Sequence, residues 1–263
     1  MLRSWLVPVA IAALLAGCSS DPESIATAAP SPAAPPLAAP MSQLPAAVEV
    51  QDWETVGSSV QNRPIRARTY GAGPRRVLFV GGIHGDEPEG AYTTEQLPAA
   101  FDAAGLDTAV SLTILEDANP DGRAAGTRGN ANGVDVNRNF PAINFDADNP
   151  ANGGTPLSQP EARALAETID RIQPDLVLVA HSWAGREFIN FDGPARELAE
   201  RFSDASGLPV EASTEFAPTP GSLGSYIGRD RGIPLLTIEV LKGSDPQAVW
   251  DKLRPALLLV IGS

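Results

Sequence analysis

Two uninterrupted apolar runs, Val77-Leu78-Phe79-Val80 and Leu176-Val177-Leu178-Val179-Ala180, constrain this chain more than any other feature. A strand that is apolar on both faces must be covered on both, which means helices packed above and below a sheet. The punctuation around the runs agrees. The first enters Gly81-Gly82, and a helix is expected to start over residues 88–97. Residues 111–115 read as a second strand. Ser158-Gln159-Pro160-Glu161 offers a capping residue, an early proline and an early acid for a helix reaching about Ile172. After the strand at 176–180 come a strand over 188–191, a helix over 194–206, a strand over Leu235–Leu241 and a closing helix over 246–260. This alternation, with no internal repeat, predicts an α/β domain with helices on both faces of its sheet. Sites in such folds sit in loops beyond strand ends.

The first stretch has another character. Arg3 supplies a positive region, and residues 6–15 form an apolar run about as long as the core of a secretory signal. That is short of the roughly 20 apolar residues a membrane-spanning helix needs. The run ends in Leu15-Ala16-Gly17-Cys18, which resembles the lipobox of bacterial lipoproteins. The resemblance implies removal of residues 1–17, lipidation of Cys18 and anchoring to a bacterial membrane on its extracytoplasmic side, periplasmic or at the cell surface. Cys18 is the only cysteine, so the fold has no internal disulfide. Residues 18–47 are rich in Ala, Pro and Ser, with seven prolines, and carry too little apolar bulk to offset the entropy of ordering them. They read as an extended tether. A folded domain is then expected over 48–263. The net charge of −13, or −14 once Arg3 is removed, repels phosphates and argues against a nucleic-acid partner.

The chain has only two histidines, His84 and His181, each just after a predicted strand. Glu87 stands three residues after His84 in Gly82-Ile83-His84-Gly85-Asp86-Glu87-Pro88. Two neutral imidazoles and one carboxylate leave a fourth position open on tetrahedral zinc, which is how catalytic zinc is held. His-x-x-Glu alone fits a surface loop as well.

The wider pattern is more specific. Asn119-Pro120-Asp121-Gly122 precedes Thr127-Arg128-Gly129-Asn130 and Val134-Asp135-Val136-Asn137-Arg138-Asn139-Phe140-Pro141; His181-Ser182-Trp183 and Thr237-Ile238-Glu239-Val240 follow. With His84-x-x-Glu87, in this order, these segments resemble the zinc metallocarboxypeptidase family. The likeness extends to its bacterial murein peptide amidase branch through residues 82–90, the Asn137–Pro141 run and Thr219-Pro220-Gly221-Ser222-Leu223-Gly224-Ser225. The resemblance covers about residues 75–243. It implies a mixed, largely parallel sheet and one Zn2+ per chain, held by His84, Glu87 and His181. It implies that Asn137 and Arg138 bind a free α-carboxylate, that Arg128 stabilises the carbonyl oxygen as it turns negative, that Glu239 is the general base and acid, and that Asp135 orients the first histidine. The implied reaction is cleavage of the γ-D-glutamyl–diaminopimelate bond of murein peptides.

Residue chemistry is consistent with these roles. A guanidinium matches a carboxylate in fixed bidentate geometry, a metal-bound imidazole needs an outer partner, and a lone glutamate in the apolar run Leu235–Leu241 is costly without a task. Asp86 and Glu89 read as solvated or helix-starting acids, and Trp183 as pocket-lining or core. The digestive members carry a mobile tyrosine before the Gly-Ser turn. Here that region reads Thr214-Glu215-Phe216-Ala217-Pro218, and Tyr226, beyond the turn, is the remaining phenol nearby. Two other readings stand: an N-acyl amino acid deacylase of the aspartoacylase and succinylglutamate desuccinylase type, and a binding lipoprotein without turnover.

Overall fold

The computed structural model describes residues 52–213 and 219–263, all within one compact unit, Ala46–Ser263. The expected signal, Cys18, the tether over 18–47 and Phe216 lie outside the described residues. The strands are β1 (Glu54–Ser58), β2 (Pro64–Tyr70), β3 (Arg75–Val80), β4 (Val110–Leu115), β5 (Leu176–Trp183), β6 (Phe188–Asp192), β7 (Val210–Ala212) and β8 (Leu235–Leu241). The helices are α1 (Glu89–Ala103), α2 (Pro120–Ala125), α3 (Pro160–Ile172), α4 (Arg196–Ser206) and α5 (Pro246–Ile261). No helix among the described residues is long and apolar enough to cross a membrane.

The sheet order is β1-β2-β4-β3-β5-β8-β6-β7. The four central strands, β4-β3-β5-β8, run parallel; β2 joins antiparallel at one side, and β6 at the other. The mixed, largely parallel sheet expected from the sequence is therefore present. β3 shows why its run is uninterrupted. Val77 and Phe79 enter the cluster under α1, α4 and α5, while Leu78 and Val80 enter the opposite cluster under α3. Both faces are covered, so both must be apolar.

Several boundaries differ from the sequence expectation. α1 continues past Leu97 through Pro98 to Ala103. A proline inside a helix costs about 3 kcal/mol, but Leu97 and Phe101 are both fully buried, and each such side chain contributes about 1.5–3 kcal/mol. Ser158 does not cap α3; that position is Gln159, and Ser158 Oγ donates to the Gly153 carbonyl instead. β5 runs on to Trp183 because it pairs with β8 as far as Trp183↔Leu241, so His181 lies inside the strand rather than beyond it.

Asp121 locks the β1–β2 turn to the first turn of α2. Its carboxylate, buried to 3% exposure, accepts from Ser59 Oγ (2.8 Å), Gln61 N–H (2.8 Å) and Arg63 Nη1 (2.6 Å). Burial alone would raise its pKa; the hydrogen bonds outweigh that and depress it. A depressed folded-state pKa contributes stability that is present above the unfolded value of about 3.9 and lost as pH falls through the folded value. Asp121→Asn should therefore cost about 2–3 kcal/mol at pH 7. In urea melts the difference between the two proteins should shrink steadily below about pH 4. A difference independent of pH would show that the charge is not what matters.

Candidate active site

The segment from β3 to α1 is pressed onto the turn opening α2. A Cβ at Gly85 would lie 1.9 Å from the Gly122 carbonyl carbon, so only glycine permits this approach. Asn119 explains the Asn-Pro-Asp-Gly motif. Its Oδ1 caps α2 by accepting from Gly122 N–H (3.0 Å), and its Nδ2 donates to the Arg128 carbonyl (3.3 Å). The Asn-rich stretch that follows is irregular but internally satisfied. Asn130 Oδ1 accepts from the N–H groups of Asn132 and Val134, and its Nδ2 donates to Gln159 and Glu161. Asn139, fully buried, donates to Asn152, Thr155 and Ser158 and accepts from Gln159 N–H. Buried amides replace the ladder a strand would have used. Arg128 and Asn137-Arg138 are thereby held at either side of the stretch.

The chemistry gathers where β5, β8 and the β3–α1 loop meet. His84 Nδ1 lies 2.8 Å from Glu87 Oε1, and His181 Nδ1 lies 2.9 Å from Glu87 Oε2, which also accepts from Ser182 N–H (3.0 Å). All three side chains are buried, and one ligand atom from each falls within 4.8 Å of the others. His84 Nε2 lies 3.1 Å from Asp135 Oδ1, so one carboxylate fixes the ring while Nδ1 faces Glu87. Arg128 bridges the cluster, donating from Nε to Asp135 Oδ2 (3.0 Å) and from Nη1 to Glu87 Oε1 (3.1 Å). Two Nδ1 atoms and a carboxylate converging at one buried point, with an outer acceptor on one ring, are a donor set suited to catalytic zinc.

Sheet register supplies the rest. Across β5, β8 and β6, His181, Glu239 and Phe188 form one row; Val179, Thr237 and Asn190 form the next; Val177, Leu235 and Asp192 the third. A cleft of about 330 Å³ lies over these rows, lined by His84, Glu87, Arg128, Asn137, Arg138 and Glu239, among others. Every metal, catalytic and substrate-binding residue expected from the sequence thus falls in one cleft or, for Asp135, directly behind it. Asn137 accepts at Oδ1 from Leu223 N–H (2.9 Å), tying the Gly-Ser turn to the cleft, and its Nδ2 lies 3.3 Å from His181 Nε2.

A profile of the zinc carboxypeptidase family matches residues 41–206, more than half of the chain. The chain belongs to the zinc carboxypeptidase family. Murein peptide amidase A of Escherichia coli K12 is 33% identical over 178 residues, 62% of this chain and 69% of that protein. Gamma-D-glutamyl-L-diamino acid endopeptidase 1 of Lysinibacillus sphaericus is 24% identical over 251 residues, 74% of this chain and 62% of that protein. The crystal structure of a murein-tripeptide amidase from Escherichia coli O157 superposes with a TM-score of 0.66 at 28% identity, covering 81% of this chain and 92% of the other. Family membership makes the protein a hydrolase, and zinc is the metal its triad serves.

The cleft is strongly charged, and its charges differ in how they are matched. Burial would raise Glu87, but His181 and His84 outweigh it and hold the carboxylate far below its usual range. Asp135 follows the same pattern, with His84 and then Arg128 overcoming burial. Burial would lower His84; hydrogen bonds to Asp135 and Glu87 prevail and raise it. Arg128, with two carboxylate partners, is likewise raised against its burial. Glu239 differs: burial raises it, the Glu87 charge adds to that, and the nearby cations only partly compensate. Arg138 is the counterpart. Burial lowers it, the charges of Asp135 and Glu239 oppose this and that of Arg128 adds to it; no carboxylate lies within ion-pair distance among the described residues, and its hydrogen bond goes from Nη1 to the Asn137 carbonyl (2.7 Å).

Glu89 starts α1, one of the two readings its sequence offered, and is buried there, accepting from Gly243 N–H (2.6 Å). Asp86 is half-buried and pairs with Lys242 (2.7 Å), so both acids grip the turn after β8. Tyr226 does not replace the missing tyrosine, because it stacks on Phe140 in the cluster under α3 and accepts from Arg231. Trp183 lines the cleft at 40% exposure rather than the core. Residues not anticipated from sequence are Asn190, Asp192, Ser213 and Thr237, all lining the cleft. Thr237 carries a signal, alternating with Glu239 on one face of β8; Asn190, Asp192 and Ser213 reach the cleft only through the pairing of β6 with its neighbours.

Proposed function

We propose that the protein hydrolyses the amide bond preceding a residue with a free α-carboxylate in murein-derived peptides, as a γ-D-glutamyl–diaminopimelate amidase or carboxypeptidase. The observation that carries this reading is Arg138. A guanidinium held in a cleft with no ion-pair partner among the described residues is only partly compensated, by Asp135 and Glu239 at longer range, and an incoming carboxylate relieves the remaining cost while gaining two parallel hydrogen bonds. Arg128, already paired twice, is not available in that way. The murein assignment is supported by the relatives named above.

In this reading His84, Glu87 and His181 hold the zinc. Bound there, zinc acidifies water and polarises a carbonyl. Asn137 Nδ2 and Arg138 fix the substrate carboxylate and so set which amide reaches the cleft centre. Arg128 retains guanidinium donors beyond the two it uses and offers them to the carbonyl oxygen as charge develops. Glu239, whose neutral form is favoured by burial, accepts a proton from water and passes it to the leaving nitrogen. The lipobox-like segment ending at Cys18 supports an extracytoplasmic enzyme tethered to a bacterial membrane, where murein peptides are within reach.

Incubating the zinc-loaded protein with murein tripeptide, a series of C-terminal peptides and N-acyl amino acids tests the reading. Release of free diaminopimelate is expected; cleavage of N-acyl amino acids alone would overturn it. Arg138→Ala should lower kcat/KM by about 30–1,000-fold, as expected for loss of about 2–4 kcal/mol of charge-paired binding. A substrate whose carboxylate is amidated should suffer a similar loss with the parent protein and little further loss with the variant. Equal losses for both substrates in Arg138→Ala would mean that Arg138 does not meet the carboxylate.

A further inference from the structure

Arg128 sits at one end of a closed turn whose centre is Asn130. Asn130, 4% exposed, accepts at Oδ1 from the N–H groups of Asn132 and Val134 (both 3.1 Å). Its own N–H donates to the Val134 carbonyl (2.9 Å). The far end of the turn is Asp135, which accepts from Arg128 Nε across the gap (3.0 Å). Gly129 lets the two arms close, since a Cβ there would lie 2.9 Å from the Val134 carbonyl oxygen. Residues 128–135 form neither helix nor strand, so side chains attach this turn to the fold.

Two attachments hold it, one toward each neighbouring helix. On the α2 side, Asn119 Nδ2 donates to the Arg128 carbonyl (3.3 Å). On the α3 side, Asn130 Nδ2 donates to Glu161 Oε2 (2.8 Å) and to Gln159 Oε1 (2.9 Å). Glu161 is fully buried, and its other oxygen, Oε1, accepts from Val60 N–H (3.0 Å) in the β1–β2 turn. Both oxygens therefore face donors. A carboxylate supplies two acceptor atoms, whereas an amide of the same shape would set one N–H against another. A buried carboxylate is costly, and this one belongs neither to the cleft lining nor to the metal triad. Its two contacts are the turn that carries Arg128 and the turn that joins β1 to β2.

We propose that Glu161, acting through Asn130, is a positioning residue that keeps the Arg128 guanidinium aimed at the carbonyl oxygen of the substrate. This rests on the proposed role of Arg128. Stabilising a developing charge depends on donors already in place, and a misplacement of about 1 Å can cost about 10²-fold in rate. The Arg128 side chain is 47% exposed, so its aim depends on where its backbone is fixed as well as on Asp135 and Glu87. Releasing the turn from α3 moves that backbone. Asn137 keeps its separate tie to Leu223 N–H, and the three metal ligands lie outside the turn. The effect should therefore fall on the reacting carbonyl and spare both the substrate carboxylate and the zinc.

The test uses the zinc-loaded protein and two probes. One is a phosphinate analogue of the best-cleaved substrate, whose tetrahedral oxygens mimic the developing oxyanion; the other is the released amino acid, whose carboxylate meets Arg138. Glu161→Gln should lower kcat about 10–100-fold and weaken the phosphinate by a similar factor, with KM and product affinity nearly unchanged. Asn130→Asp sets acid against acid and should act in the same direction. Together the two substitutions place the new amide opposite the new carboxylate, so their losses should be less than additive. Asp121→Asn loosens the same β1–β2 turn from the α2 side without touching Asn130. It should lower stability and leave the phosphinate-to-product affinity ratio alone, which separates positioning from general loosening. If Asn130→Asp folds poorly, Glu161→Gln against Asp121→Asn decides. An unchanged ratio in Glu161→Gln, an equal change in Asp121→Asn, or strict additivity of the pair would overturn the proposal. Arg128→Ala, measured alongside, tells its failure from that of the reading beneath it. If Arg128→Ala leaves phosphinate affinity unaltered, the role of Arg128 and its positioning fall together. If Arg128→Ala weakens the phosphinate and Glu161→Gln does not, only the positioning falls.

Discussion

Replacing Glu239 with glutamine should lower kcat by about 10²–10⁴-fold, the range expected for loss of one positioned general acid–base group, while zinc content stays at one ion per chain. The substitution keeps size and hydrogen-bonding reach and removes only the capacity to take and return a proton. Glu239 stands in the same cross-strand row as His181 but outside the triad that converges on the metal position. Its loss therefore leaves the ligand set intact. It also removes an acid that burial keeps reluctant to ionise, so the variant should fold at least as stably as its parent. KM should change little, because the carboxylate clamp at Arg138 is untouched. Metal analysis alongside steady-state kinetics decides the matter: retained activity removes Glu239 from the proton transfer, and lost zinc makes it a structural support instead.

How much of this was legible in the sequence depends on what each residue's role requires. The metal and carboxylate residues lie in short segments with fixed internal spacing, and each segment is shaped by its own local rules. His84 and Glu87 sit in one turn, and Asn119 caps the helix beside it. Such local geometry survives without knowledge of the partners. Asp192 is different. Nothing next to it in sequence marks it; its place in the cleft follows from β6 pairing antiparallel with β8 in one register, and a slip by one residue would turn it to the other face. Glu89 does start α1, but its burial and the pairing of Asp86 are hidden from the sequence for a related reason. Acids at a helix start are usually solvated, and only the return of β8 into Lys242-Gly243 buries them.

The fold divides along the same line. β3, the first part of β5 and the start of β8 are central and strongly apolar, so their sequences alone place them, although β8 turns Thr237 and Glu239 to the cleft. β2 carries Ile65 and Ala67 inward and Arg66 and Arg68 outward, a period-2 pattern too short and too charged to stand out. β7, three residues at the sheet's edge, draws its pairing from β6 rather than from its own composition. α1 runs on past Pro98 because the packing of Leu97 and Phe101 overrides the local cost of a proline inside a helix.

The same chemical change made at Glu87 should give the opposite metal result. Glu87→Gln removes the only anion of the triad and leaves two imidazoles facing an amide. Zinc affinity should fall by more than the roughly 10–100-fold typical of losing an outer partner such as Asp135, and activity should fall with it. Glu87 also gathers the site: it spans both histidines and accepts from Ser182 N–H and Arg128. With glutamine there, one side-chain nitrogen faces a ring that previously met an oxygen, so the rings should lose their convergence. Excess zinc should then restore only part of the activity in Glu87→Gln, and none in Glu239→Gln. Zinc titrations followed by both metal content and turnover separate the two. A Glu87→Gln protein that binds zinc as tightly as its parent would mean that the histidines alone make the site.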